Sequence, residues 1–207
     1  AGEGNLILPI LNEIPTGDRE SFFQSHIFLF DVQEDMVQEC IKNAEIYGIS
    51  REIAEQNIKT RDNLESFPQI LKQQKYPIFH ITNPPYLYLG YIRKHVETQK
   101  YLCYFEKENE GYQDLYQIAM MSDLRSKIKN LIYVIPTNFL YGASVSNKFR
   151  LDFLKHYKIT KVIIFETSMF EFTGTNICIS FFKRKSISQD EPQSFEGLKF
   201  KNKNTGM

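Results

Sequence analysis

Cysteine is scarce, tryptophan is absent and neither sign of charge prevails in this chain of 207 residues. Cys40, Cys103 and Cys178 are odd in number and scattered, with no Cys-x-x-Cys pair and no histidine at ligand spacing. That argues against a disulfide framework and against a zinc site, and it fits a reducing cytoplasm. Long apolar runs are missing too. Nothing approaches the roughly 18 residues of a membrane helix, and no basic-then-apolar leader opens the chain. Lys and Arg number 25 against 25 Asp and Glu, so no global field points to a nucleic-acid partner and any such contact must come from local patches.

What is present suffices for one core. Hydrophobic residues make up 42% of the chain, and the length leaves no room for two generous domains, so one compact domain with a tail is expected. The chain opens on Ala1 rather than Met, in a small-residue turn, Ala1-Gly2-Glu3-Gly4-Asn5, with no strand ahead of it. It reads as a piece of a larger protein whose first strand is truncated.

Apolar spacing predicts an amphipathic helix over 6–14, a buried strand over 26–32 that ends with Asp31 in its last turn of sequence, and a helix over 34–47 closed by Gly48. A weak strand around Asn57-Ile58-Lys59 leads to Asp62. A strand over 76–82 runs into Asn83-Pro84-Pro85-Tyr86, where two prolines supply no backbone donor and force an extended path, so this motif sits at a strand's C-terminal edge. Residues 87–110 are aromatic and charged without clean period and read as a long loop with one helical turn around His95. A helix over 114–128, a strand over 131–135 stopped by Pro136, a helix through Phe149, Phe153, Leu154 and Tyr157, and strands over 161–165 and 176–182 complete the pattern. Helices mostly separate strands, which predicts a doubly wound, mostly parallel α/β sheet with ligands at the C-terminal strand ends. The last two strands, with no helix between them, are expected as an antiparallel hairpin at one edge. From Ser186 onward the chain is polar without a packing pattern, and 186–207 reads as a linker toward something absent.

Three features suit a nucleoside cofactor at the strand ends: the glycine turn into a helix, an acid after the second strand, Asp31, and a second acid before the fourth, Asp62. Glycines let a backbone approach a ligand closely, a carboxylate at a strand end can hold ribose hydroxyls, and Asp62 can accept from an adenine amine. Singly, a glycine pair is often just a tight turn and an acid after a strand just a solvated loop residue. Asn83-Pro84-Pro85-Tyr86 is more specific, because a rigid Pro-Pro between an amide and an aromatic serves no ordinary turn well.

On these residues the chain resembles the adenine-N6 DNA methyltransferases of bacterial restriction-modification systems, in the group whose cofactor motif precedes the catalytic motif and whose DNA-recognition domain follows both. The resemblance runs from Ala1 to about Lys185 and implies a Rossmann-like methyltransferase domain over 1–185. Ala1, Gly2 and Gly4 look like the second half of the family's cofactor loop, Asp31 like its ribose acid and Asp62 like its adenine-contacting acid, for S-adenosylmethionine. Asn83 to Tyr86 matches the catalytic motif letter for letter, with Asn83 also counted among the cofactor contacts. Asp114-Leu115-Tyr116 is similar to a helix start beside the cofactor, and 134–140 to the strand and loop that follow. Phe170 stands where the family places a second aromatic on the target base, with Phe172 a competing choice. The resemblance further implies double-stranded DNA as partner, together with a fused or partner endonuclease.

The residues also argue the chemistry. Adenine's amine is a poor nucleophile, hidden inside a duplex, so the base must be flipped out. Tyr86 and Phe170 would stack on it, while Asn83 Oδ1 and the Pro84 carbonyl take both amine hydrogens. No metal and no covalent nucleophile are required. Each of His26, His80, His95 and His156 reads as a core or surface residue. Arg93-Lys94-His95 with Tyr88, Tyr91 and Tyr101 suits phosphates or flanking bases as well as a solvated loop, and Lys183-Arg184-Lys185 suits DNA as well as a charged strand stop. Two readings stay open beside adenine: a methyltransferase of the same fold acting on protein glutamine, ribosomal-RNA guanine or DNA cytosine N4, and a non-catalytic module for DNA binding or assembly.

Overall fold

A computed structural model describes residues 1–65, 67–68, 71, 75–142, 146–166, 176–187 and 194–201. The chain packs as two compact units, Ala1–Ser66 and Phe67–Met207. Among the described residues no helix is long and apolar enough to cross a membrane.

In the first unit, a 3-10 segment (Leu8–Glu13) precedes α1 (Arg19–His26), β1 (Leu29–Asp31), α2 (Glu34–Ile46), α3 (Arg51–Asn57) and β2 (Ile58–Thr60). The pattern over 34–47 produces the expected helix: Val37, Cys40, Ile41 and Ala44 are buried on one face of α2. Gly48 ends it at φ +89°, donating to the Glu45 carbonyl (3.0 Å), while buried Ile49 donates to Ala44 (3.2 Å). These are the paired bonds of a Schellman C-cap. The core gathers Leu8, Leu11, Phe23, Leu29, Val37, Ile41 and Ile58, among others. β1 and β2 are parallel, with Asp31 opposite Thr60.

Three expectations need correction here. The segment over 6–14 forms 3-10 turns rather than an α-helix, with Pro9 at its start and two buried residues, Leu8 and Leu11, to anchor it. The strand expected from His26 begins at Leu29, because α1 runs through His26. α3 went unseen since only Ala54 and Asn57 are buried on it.

The second unit contains β3 (Phe79–Thr82), α4 (Leu89–Ile92), 3-10 segments Val96–Phe105 and Lys107–Asn109, α5 (Leu115–Arg125), β4 (Asn130–Pro136), α6 (Asn138–Tyr141), α7 (Asn147–Leu154), β5 (Tyr157–Phe165), β6 (Ile177–Arg184) and β7 (Glu196–Phe200). Its sheet has the order β3-β4-β6-β5-β7. β3 and β4 are parallel, as are β5 and β7, while β6 runs antiparallel to both of its neighbours. The mixed α/β class with a mostly parallel arrangement is as expected, and β5 and β6 do pair antiparallel. They do not form an edge, however: β6 is inserted between β4 and β5, and β7 covers the far side of β5. That strand arises in the stretch after Ser186 that was expected to carry no packing pattern. The long loop after the motif is likewise largely wound into short helical segments. An aromatic cluster fills this unit, with Phe153 stacked on Tyr157 (4.6 Å between centroids) and edge-on to Phe182 (5.2 Å).

Candidate functional site

In the first unit, the glycine turn meets the end of β1. The Gly2 amide donates to Asp31 Oδ2 at 2.7 Å, and the Gln33 amide donates to Oδ1 at 3.0 Å. Burial raises the Asp31 carboxyl's pKa, but the hydrogen bonds it accepts at the turn, those of the Gln33 and Gly2 amides among them, outweigh it and hold the group below its ordinary value. Asp31 is therefore ionised, and Oδ1 keeps an open lone-pair direction for a hydroxyl donor. Asp62 lies two residues past β2, on the same edge as Asp31, because the two strands run parallel and the Arg61 amide bonds the Asp31 carbonyl (2.7 Å). Its Oδ1 accepts from the Leu64 amide at 2.7 Å.

The two glycines differ in purpose. Gly2, at φ +55°, has nothing within 4 Å of where a Cβ would stand, so its conformation is what calls for glycine and the space beside it is open. Gly4, at φ +86°, is buried, and a Cβ there would meet Leu8 Cδ1 at 2.6 Å and Cys40 Sγ at 2.9 Å. Its bareness serves packing beneath the turn, not ligand approach. Sequence reasoning also passed over Asn63, whose Oδ1 is buried without a hydrogen-bond partner among the described residues. An orphaned acceptor beside Asp62 and an ionised carboxylate at the neighbouring strand end fit a nucleoside, which brings an amine and a ribose diol.

In the second unit, Asn83-Pro84-Pro85-Tyr86 leaves the C-terminal end of β3, as its prolines require. Asn83 is exposed, Pro84 buried and Tyr86 half-buried. The Tyr86 hydroxyl lies 2.5 Å from Asn83 Oδ1 and 2.7 Å from the Val134 carbonyl of β4. Its ring meets Tyr116 edge-on, 6.4 Å between centroids. Burial drives the Tyr86 phenol's pKa upward, so it keeps its proton. Leu87 gives its amide to Asp114 Oδ1 (3.1 Å), so the donor that a β-turn would aim at the Pro84 carbonyl is turned elsewhere.

Asp114 anchors this corner. It caps α5 by accepting from the Tyr116 amide (3.3 Å), and burial pushes its carboxyl up to about 6 despite the amide bonds that oppose the shift. The Tyr116 hydroxyl donates to Asn138 Oδ1 (3.2 Å) and lies 3.4 Å from Ser146 Oγ. The expected helix start at Asp114-Leu115-Tyr116 is thus tied to the starts of α6 and α7. Beneath the motif, His80 of β3 bonds Asp123 (2.6 Å), which also accepts from Tyr133. His95 stacks on Tyr91 (3.8 Å), and Arg184 turns inward to the Leu124 carbonyl (2.9 Å). Arg184 is thereby occupied within the fold. Phe170 and Phe172 lie outside the described residues.

A family model described as "Eco57I restriction-modification methylase" matches residues 20–170. No curated protein matches by sequence. Among solved structures, a protein described as a modification subunit of a type I restriction enzyme from Vibrio vulnificus superposes with a TM-score of 0.57 at 14% identity, covering 88% of this chain and 38% of that one. One described as a class I S-adenosylmethionine-dependent methyltransferase from Listeria monocytogenes gives 0.55 at 15% identity, covering 95% and 56%. The ATP-dependent type ISP restriction-modification enzyme LlaBIII, solved bound to DNA, gives 0.58 at 15% identity, covering 95% and 17%. At such identities these likenesses establish a shared fold. The chain spans between about a sixth and somewhat over half of the length of these three proteins.

Proposed function

This chain belongs to the Eco57I restriction-modification methylase family, and we propose that it transfers a methyl group from S-adenosylmethionine to the N6 amine of a flipped-out adenine in DNA. The observation that carries the reading is the motif at the end of β3, where an exposed amide, a donor-free Pro-Pro step and a tethered tyrosine stand in consecutive positions.

Asn83 Oδ1 and the Pro84 carbonyl are two acceptors one residue apart, and an aromatic amine has two hydrogens to give. Accepting both draws the nitrogen toward tetrahedral geometry and frees its lone pair from the ring, which is the electronic change the reaction needs. Tyr86 offers a ring face to the base, and Phe170 is proposed as the second aromatic. Asp31 would receive a ribose hydroxyl on Oδ1, with Asp62 and Asn63 receiving the adenine amine of the cofactor and Gly2 leaving room beside the turn. When bound, S-adenosylmethionine supplies a methyl group activated by its sulfonium. The remaining task for these side chains is to orient the base and stabilise positive charge growing on its nitrogen.

Residues 1–185 carry this proposed chemistry. Recognition of a DNA sequence and any endonuclease activity are assigned to further domains or partner subunits of a restriction-modification system. The test is transfer of labelled methyl to mixed-sequence duplex DNA by the full-length protein. Label that enters DNA and is lost in Asn83→Ala supports the reading, whereas label in protein, or none with no cofactor bound, favours a glutamine methyltransferase or a non-catalytic module.

A further inference from the structure

Three oxygens lie in a row at the motif: Asn83 Oδ1, Tyr86 Oη at 2.5 Å from it, and the Val134 carbonyl oxygen 2.7 Å further on. Two oxygens that close repel unless a proton lies between them. The row holds two such contacts, but the phenol brings only one proton, since a carbonyl oxygen and an amide oxygen bring none. Whichever way the hydroxyl turns, one contact is left without its hydrogen. Ionising the phenol would make matters worse, and burial keeps it protonated.

A half-turn of the Asn83 amide about its last side-chain bond exchanges oxygen for nitrogen and removes the shortfall. We propose that Asn83 Nδ2 donates to Tyr86 Oη, which in turn donates to the Val134 carbonyl, and that this relay fixes Asn83 Oδ1 outward as the acceptor for the target amine. The proposal rests on the methyl-transfer reading only in its last clause. Each contact then has its own proton, and the chain ends on a backbone oxygen of β4, which has little freedom to move. The ring of Tyr116, set edge-on at 86° to that of Tyr86, helps to hold the phenol in line. Asn83 is exposed, so its outward end faces solvent rather than packed side chains. Tyr86 is then a positioning residue as well as a stacking one. Its hydroxyl decides which end of the amide meets the substrate. A phenylalanine could stack equally well and could not do this.

Two measurements test it, and they fail separately. In the full-length protein labelled with 15N-asparagine, the Asn83 side-chain pair is identified by its disappearance in Asn83→Ala. One of its two amide protons should exchange with solvent about tenfold more slowly than in Tyr86→Phe, in line with loss of one hydrogen bond of about 1.4 kcal/mol. Equal, fast exchange of both protons in the wild type overturns the proposal, whatever the protein's activity. In the transfer assay, Tyr86→Phe should lower kcat about tenfold with KM for DNA within about twofold. In the Asn83→Asp background, where both ends of the side chain are acceptors and orientation no longer matters, the same substitution should change kcat by less than about twofold. An equal loss in both backgrounds means that Tyr86 acts through the fold or stacking alone, and the relay is then wrong. Wild-type protection without any methyl transfer would leave the relay standing and sink the methyl-transfer reading.

Discussion

The glycine turn with Asp31 and the Asn83-to-Tyr86 motif are built from opposite materials. At Asp31, the partners are backbone amides gathered by a turn whose glycines take positive φ, so the geometry is written in the main chain. At Asn83, the main chain is stiffened by proline and emptied of donors, and a tyrosine side chain does the tethering. The first arrangement should tolerate changes of neighbouring side chains and fail when the backbone path is altered. The second should keep its path and fail when a single side chain is removed.

The sharpest way to break this contrast is Asn83→Ala. Loss of one preorganised acceptor should lower kcat by about 100-fold or more, with folding stability nearly unchanged. A parallel loss of folding stability would show that the motif has a broader structural role. Next in size is Asp31→Ala, which strands the Gly2 and Gln33 amides. Calorimetry should find S-adenosylmethionine affinity lower by about tenfold or more, as expected for a hydrogen bond to a charged group. Gly4→Ala comes third: the positive φ and the contacts with Leu8 and Cys40 should cost about 1–3 kcal/mol in urea unfolding, and more than Gly2→Ala, whose Cβ would enter open space.

The smallest effect concerns Asp114 and is a dependence on pH. Its folded pKa of about 6 exceeds the ordinary 3.8, so between those values the folded chain binds the extra proton. The resulting stabilisation is full below about pH 4 and is lost as pH rises through about 6. Asp114→Asn should flatten that part of the stability profile by on the order of 1 kcal/mol, since partial solvent access screens the shift. A slope that persists in the variant would assign it to another group.

Contiguity decided what was legible in the sequence. Asn83 to Tyr86 could be read because its chemistry occupies adjacent letters, and α2 because Val37, Cys40, Ile41 and Ala44 repeat at helical spacing. Short α1 and α3 bury too few residues to show a period. β7 is exposed at every position and exists through its pairing with β5, which no local pattern announces. The Val134 carbonyl is a backbone atom 48 residues from Tyr86, so no residue type marks it. Asn63 lacked a signal for a similar reason, because an unmet acceptor is a property of burial and not of composition. Gly4 was visible as a glycine, and only its neighbours reveal that packing demands it.

Identifying the methylated base tests the central claim most directly. Duplex DNA incubated with the full-length protein and S-adenosylmethionine carrying a deuterated methyl group would be digested to nucleosides and weighed by mass spectrometry. The account predicts the label in N6-methyldeoxyadenosine; label confined to N4-methyldeoxycytidine would contradict it.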